Sequence, residues 1–260
     1  MNIVCFGANG ATGRLLVRQA LTEGHAVTAF TRHPEAFPIR DDRLQLAGGD
    51  VLDPSAVDKA VSGQKAVLSC LGVPFSRKPI SVFSHGMANI LQAMRHHGVR
   101  RLACVSATPV DPRYDTRGGF IFEKALKPVI SRTIGRTMYH DLRRMESLVT
   151  QSDLDWTILR PSGLFAASSI TDYQVTGGLT AGQFTSRTDL ADCLLRQLDD
   201  DWSIHRALAV TTVSGQPGFL RFFLTEVIGK KTALPARSAC PPAASEGRPS
   251  MGAACGRRPL

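Results

Sequence analysis

The sequence predicts a doubly wound α/β fold, with a mostly parallel sheet and helices on both faces. Three observations carry this expectation. Short apolar runs alternate with helix-like runs of roughly 10–18 residues, the pattern of βαβ units. The strand-like runs are almost continuously apolar, as expected where a strand is covered on both faces. The first of them, Asn2–Phe6, leads directly into a glycine-rich turn and then a helix.

The elements follow in order. Thr12–Glu23 has apolar residues at helical spacing (Leu15, Leu16, Ala20), and Ala26–Thr31 is the next strand. Leu44–Ala47 is a short strand ending at Gly48-Gly49, Ser55–Val61 a short helix, and Ala66–Leu71 a buried strand. Ile80–His97 is a long helix with Val82, Met87, Ile90, Leu91 and Met94 on its apolar side. Arg101–Ser106 is a strand. Arg136–Thr150 is a helix carrying Met138, Leu142, Met145, Leu148 and Val149 on one side. Trp156–Arg160 is a strand stopped by Pro161, Asp189–Leu198 a helix, Ala207–Val213 a strand, and Phe219–Ile228 a last helix. Both periodicities are the ordinary signatures of buried helix faces and covered strands. No internal repeat is visible.

Composition narrows the class. Of 260 residues, 43% are hydrophobic and 20% charged, which excludes wholesale disorder and fibrous repeats. The net charge of +9 invites a nucleic-acid reading, but it is unevenly placed. Residues 230–260 hold six basic side chains against Glu246 alone, together with five prolines, seven alanines and no Ile, Val, Phe, Tyr or Trp. Such a stretch buries too little apolar surface to offset its chain entropy, so residues 229–260 are expected to be a disordered basic tail behind a domain over 1–228. The mildly basic remainder gives no ground for a specific nucleic-acid partner, and the expected partner is a small-molecule substrate. No run reaches the ~20 apolar residues of a membrane span. The N-terminus lacks the basic region of a signal peptide. The cysteines (5, 70, 104, 193, 240, 255) form no C-x-x-C pair and read as core residues of a reducing compartment, so a cytoplasmic protein without a metal site is expected. His96-His97, at a helix end, suit the negative end of its dipole. The oligomeric state is not legible.

The chemistry begins at the first turn, Gly7-Ala8-Asn9-Gly10-Ala11-Thr12-Gly13-Arg14. In this setting the first glycine permits the tight turn, the second lets the backbone approach a pyrophosphate, and the third lets the helix pack on the sheet. Phosphates would sit on the free N–H groups of the helix start. An NAD site wants a carboxylate at the end of the second strand. Here the chain reads Thr31-Arg32-His33-Pro34, with no acid before Glu35. Arg32, with Thr31 and Arg14 beside it, suits a 2′-phosphate, so NADP(H) is expected over NAD(H). Asp50, after Gly48-Gly49, can accept from the adenine amine, and Gly72 offers a bare backbone to the adenine ribose.

The strings GANGATGR, TRHP, GGDVLD, AVLSCLG, VRRLACVSA, LDWTILRP and SRTDLAD, in this order over roughly residues 1–215, resemble the atypical short-chain dehydrogenase/reductase group. Its look-alikes are NmrA-like proteins and the biliverdin reductase B / flavin reductase type. The resemblance implies an NADP(H)-binding Rossmann fold with the substrate over the nicotinamide. It places Gly7, Asn9, Gly10, Ala11, Thr12, Gly13 and Arg14 on the pyrophosphate side, and Thr31 and Arg32 at the 2′-phosphate. Asp50 and Val51 would border the adenine, Leu71 and Gly72 the ribose, and Ser106 the nicotinamide. Arg160-Pro161 would close the site.

The chain departs from the group in its catalytic residues. Classical members use Ser, Tyr and a Lys four residues after the Tyr, the Lys lowering the phenol pKa. None of Tyr114, Tyr139 and Tyr173 is followed by such a Lys, but Tyr139 is followed by Arg143 on the same helix face. Ser106, Tyr139 and Arg143 are therefore the catalytic candidates, with His140 and Asp141 behind them. Passing a hydride to a flavin or quinone mainly requires the acceptor ring held against the nicotinamide, with solvent supplying the proton. The expected function is hydride transfer from NADPH to a small aromatic or carbonyl acceptor. The alternative is an NADP(H)-sensing regulator without turnover. An epimerase- or lyase-type member with tightly held cofactor also stays open. Residues 107–135, irregular and rich in Pro and Gly, would form a loop over the substrate.

Overall fold

The structure is a computed structural model that describes residues 1–73, 79–111, 136–178, 184–218 and 222. The order is β1 (Asn2–Phe6), α1 (Ala11–Thr22), β2 (Ala26–Thr31), β3 (Leu44–Gly48), α2 (Pro54–Val61), β4 (Ala66–Ser69), α3 (Val82–His96) and β5 (Arg101–Val105). It continues with α4 (Arg136–Thr150), β6 (Asp155–Pro161), β7 (Gly163–Phe165), β8 (Tyr173–Thr176), β9 (Phe184–Ser186), α5 (Arg187–Arg196) and β10 (Arg206–Thr212). Eight strands form one sheet in the order β3-β2-β1-β4-β5-β6-β10-β8, and β7 and β9 pair separately. Among the described residues every pairing is parallel except β10 with β8. This is the doubly wound fold the sequence predicts.

Alternation along β1 divides the core. Ile3 and Cys5 face the layer holding Leu16, Val17, Ala20, Leu190 and Leu194 of α1 and α5. Val4 and Phe6 face the layer holding Val57, Met87, Ile90, Leu142 and Met145 of α2, α3 and α4. All of these side chains are almost wholly withdrawn from water. Each large one contributes about 1.5–3 kcal/mol of burial, so a central strand covered on both faces is strongly determined. The chain order reverses between β1 and β4, and that reversal places the crevice above their carboxyl ends.

Several boundaries differ from the sequence reading. β4 ends at Ser69 rather than Leu71: the Cys70 N–H donates to Phe6 O (3.0 Å), and beyond that bond the partner strand β1 has given way to the turn at Gly7, whose φ is +77°. α3 begins at Val82, not Ile80, and α5 at Arg187, where the Ser186 hydroxyl accepts from Asp189 N (2.9 Å) as an N-cap. Pro161 is the last residue of β6, in register with Val210 of β10, rather than lying beyond the strand. Strands β7, β8 and β9 are absent from the sequence reading, since three or four residues carry too little periodicity to register. Residues 112–135, the expected helix Phe219–Ile228 except Phe222, Tyr114 and the tail 229–260 lie outside the described residues.

Candidate cofactor and active site

The glycine turn sits in the crevice and has no space for side chains. Gly7 has φ +77°, and a Cβ there would lie 2.5 Å from Cys70 O at the end of β4. The site is thereby welded to the β1/β4 crossover. A Cβ on Gly13 would lie 2.2 Å from Gly7 O and 2.8 Å from the Ala8 backbone. Gly10 closes the turn, its N–H donating to Gly7 O (3.0 Å), and is the N-cap of α1. No side chain caps this helix and its first turn holds no acid. The N–H groups at a helix start have no partner within the helix, so they and the positive dipole end face the crevice, a fit to the pyrophosphate of a dinucleotide. Asn9 Oδ1 accepts from Arg14 Nε (2.9 Å) and fixes the guanidinium against the turn. Ala11 is exposed and Thr12 half-buried at the helix start.

The neighbouring strand ends supply the rest. Thr31 is buried, with its hydroxyl accepting from His33 N (3.2 Å). Arg32 beside it is exposed and makes no ion pair among the described residues. Asp50 is exposed and its Oδ1 accepts from Leu52 N (3.0 Å), while Asp53 caps α2 at Ser55 N (2.9 Å). Val51 is buried against α3: a Cβ on Gly86 would come within 2.9 Å of its methyls, and its carbonyl accepts from Asn89 Nδ2 (2.9 Å). Leu71 is half-buried. Gly72 is exposed, with nothing within 4 Å of where a Cβ would stand.

Ser106 follows β5 directly. Its N–H donates to Leu159 O (2.8 Å), but its hydroxyl is buried and finds no hydrogen-bond partner among the described residues. Burying a hydroxyl unpaired is costly, which makes an unsatisfied Oγ at a strand end a feature that a ligand would satisfy. Thr108 Oγ1 donates to Arg160 O (3.0 Å), and Arg143 Nη2 donates to Pro109 O (3.3 Å). Ser106, Arg143 and the Arg160-Pro161 step are thus gathered around one short turn, Thr108–Val110. Tyr139, one helical turn before Arg143, is half-buried against the α3 side of the core. Asp141 is committed elsewhere: its carboxylate accepts from Phe83 N (2.9 Å), Ser84 N (3.3 Å) and the Ser84 hydroxyl, capping α3. His140 is exposed.

A buried charge cluster supports this corner, and sequence reasoning missed it. Arg160 of β6 forms a fork with Glu146 of α4 (Nε–Oε1 3.0 Å, Nη2–Oε2 2.6 Å), and Arg160 Nη1 reaches Asp111 Oδ2 (2.7 Å). All three side chains are at least 86% buried. The cluster locks the turn after β5, the helix α4 and the end of β6 to one another. The signal was present, in an acid on the apolar face of α4 and an arginine in an otherwise apolar strand.

A parallel sheet with its crossover beneath an uncapped, glycine-lined helix start defines a dinucleotide-binding protein. Residues 7–201 match the NAD(P)H-binding family, and the chain belongs to it. The chain is 34% identical over 230 residues to the UPF0659 protein C216.03 of Schizosaccharomyces pombe, covering 80% of this chain and 88% of that one. It spans only 12% of the length of mycobacterial relatives that it matches at 33% identity. In fold it is similar to a short-chain dehydrogenase/reductase of Veillonella parvula in complex with NADP (TM-score 0.69, 20% identity, 84% of this chain and 99% of that). It is also similar to ChuY, an anaerobillin reductase from Escherichia coli O157:H7 (TM-score 0.67, 20% identity, 84% of this chain and all of that). No helix among the described residues is long and apolar enough to cross a membrane.

Proposed function

We propose that this chain is an NADP(H)-dependent oxidoreductase that passes a hydride from NADPH to a small aromatic or carbonyl acceptor such as a flavin or quinone. The observation that carries the reading is the unsatisfied Ser106 hydroxyl, buried at the end of β5 and two strands from the glycine turn. The dinucleotide supplies the hydride. The turn Gly7–Gly13 holds its pyrophosphate, and Arg32 and Arg14 meet its 2′-phosphate. Asp50, Val51, Leu71 and Gly72 border the adenosine. Ser106 donates to the nicotinamide end, Pro161 limits that end, and Tyr139 on α4, with Arg143 one turn on, is the candidate proton donor to a carbonyl oxygen. With a flavin or quinone the proton comes from water. The known reductase of the same fold, ChuY, supports reduction as the reaction class.

One observation favours the second reading, a cofactor-sensing protein without turnover. Lys is absent four residues after Tyr139, and the guanidinium that replaces it donates to the Pro109 carbonyl. The two readings separate in one experiment. Dinucleotide binding is measured by calorimetry and NADPH oxidation is followed with flavins, quinones and small carbonyl compounds. Catalytic oxidation with one class of acceptor is expected. Binding at micromolar affinity with no turnover on any of them would leave the sensing role.

A further inference from the structure

On the edge of the sheet where the strands begin, opposite the glycine turn, three metal-ligating side chains meet. His96 ends α3 and His97 is its C-cap, while Asp58 comes from α2. Asp58 Oδ1 lies 2.8 Å from His96 Nδ1 and 3.1 Å from His97 Nε2. All three ligand atoms lie within 4.8 Å of one another. Tetrahedral zinc with bonds of about 2.0–2.1 Å sets its ligand atoms roughly 3.3 Å apart, so small side-chain rotations would seat an ion.

Three features distinguish this cluster from an ordinary surface ion pair. Only His96 makes a hydrogen bond of proper geometry to Asp58; His97 Nε2, although 3.1 Å away, is buried and makes none. That ring nitrogen lies close to the carboxylate but off the line of a hydrogen bond, and an ion seated between the groups would give it a partner. The rings are 4.5 Å apart and bring two imidazole nitrogens to one carboxylate oxygen. A dication can be ligated by two neutral imidazoles and one carboxylate at once. The groove beside the cluster is lined by Ser55, Asn89 and Gln92, which leaves room for water at a fourth position.

We propose that Asp58, His96 and His97 form a site for a divalent transition-metal ion, with two nitrogens and one oxygen from the protein and a water in the fourth place. Imidazole and carboxylate together suit zinc, nickel or copper and not magnesium or calcium. The ion would clamp α2 to α3. The site is independent of the cofactor reading, since it uses no residue of the crossover.

The test uses the full chain without an affinity tag, stripped with chelator. Titration with Zn²⁺ is followed by calorimetry, and Co²⁺ gives a second readout through the visible absorption of a tetrahedral complex. One equivalent is expected to bind saturably to the wild-type chain and raise its thermal midpoint, and Mg²⁺ to do neither. Asp58→Asn and His96→Ala should each weaken Zn²⁺ binding at least tenfold. His96 is largely exposed, so its variant should unfold at the wild-type temperature in chelator. Absence of saturable binding to the wild-type chain, or undiminished binding to both variants, would overturn the proposal.

Discussion

Substituting Gly13 by alanine tests whether the glycine turn is a ligand cradle. The added Cβ would stand 2.2 Å from Gly7 O and 2.8 Å from the Ala8 backbone, where ordinary contact begins at 3.4 Å. Every atom it meets is backbone, so no side chain can swing away. The start of α1 must move from the turn by about 1 Å, more than hydrogen bonds of 2.7–3.2 Å tolerate without breaking. A hydrogen bond to a charged phosphate is worth about 1.5–3 kcal/mol. Losing one raises the NADPH dissociation constant roughly 10–150-fold, at 1.4 kcal/mol per factor of ten. Stability moves less, because crowding of about 1–3 kcal/mol is partly offset by the ~1 kcal/mol preference of a helix for Ala over Gly. Calorimetric titration with NADPH gives the affinity, and circular dichroism shows whether the variant is folded. A folded Gly13→Ala chain that binds NADPH within threefold of wild type would refute the cradle.

Four further outcomes follow from the same geometry. Gly72→Ala fills open space, so the thermal midpoint should stay put while NADPH affinity falls; unchanged affinity would remove Gly72 from the ribose site. Arg32→Asp should weaken NADPH far more than NADH in parallel titrations, because it replaces the proposed partner of the 2′-phosphate by a like charge; equal losses would mean that Arg32 does not meet that phosphate. Glu146→Gln leaves Arg160 buried beside Asp111 with its fork broken, and should lower stability by about 3 kcal/mol in urea unfolding; a loss under ~1 kcal/mol would show the cluster to be incidental. Burial, with Asp192 nearby, pushes the Cys193 thiol from 9.0 up to about 12. A raised folded-state value means that this contribution is intact below pH 9 and is lost as pH rises towards 12, at up to about 1.4 kcal/mol per pH unit. Cys193→Ala should flatten the stability profile in that window, and an unaltered slope would exclude the thiol as its source.

The central strands are legible in the sequence because their message is redundant. Ile3 to Phe6, Val67 and Leu68, and Leu102 to Cys104 are apolar at every position, and only a strand covered on both faces needs that. Strands β7 to β9 are illegible for the opposite reason. Tyr173-Gln174-Val175-Thr176 has no covered second face and is held by pairing to β10, a partner some 35 residues away in the chain. Its tether is equally non-local: Asp189, buried at the start of α5, accepts from Thr171 N (2.7 Å) and Thr171 Oγ1 (2.9 Å), and from Thr212 Oγ1. A window along the sequence cannot see a carboxylate that joins three segments.

The same distinction governs the site. The glycine turn is a local motif, legible in the amino-acid sequence because the residues that exclude a Cβ at Gly13 are its own neighbours in the chain. Around Ser106 the geometry depends on Leu159, Arg160, Glu146 and Asp111, which no spacing rule connects. Asp141 shows what this implies: on sequence it is a candidate catalytic acid behind Tyr139, yet its carboxylate is consumed in capping α3. Its neighbours Tyr139 and Arg143 share α4, and α4 is fixed to the sheet by the Glu146–Arg160 fork. On the proposed function, the geometry at the nicotinamide end is therefore set by how that fork seats the helix. Weakening the fork should impair turnover more than dinucleotide affinity, because the glycine turn rests on α1 and β4 and not on α4.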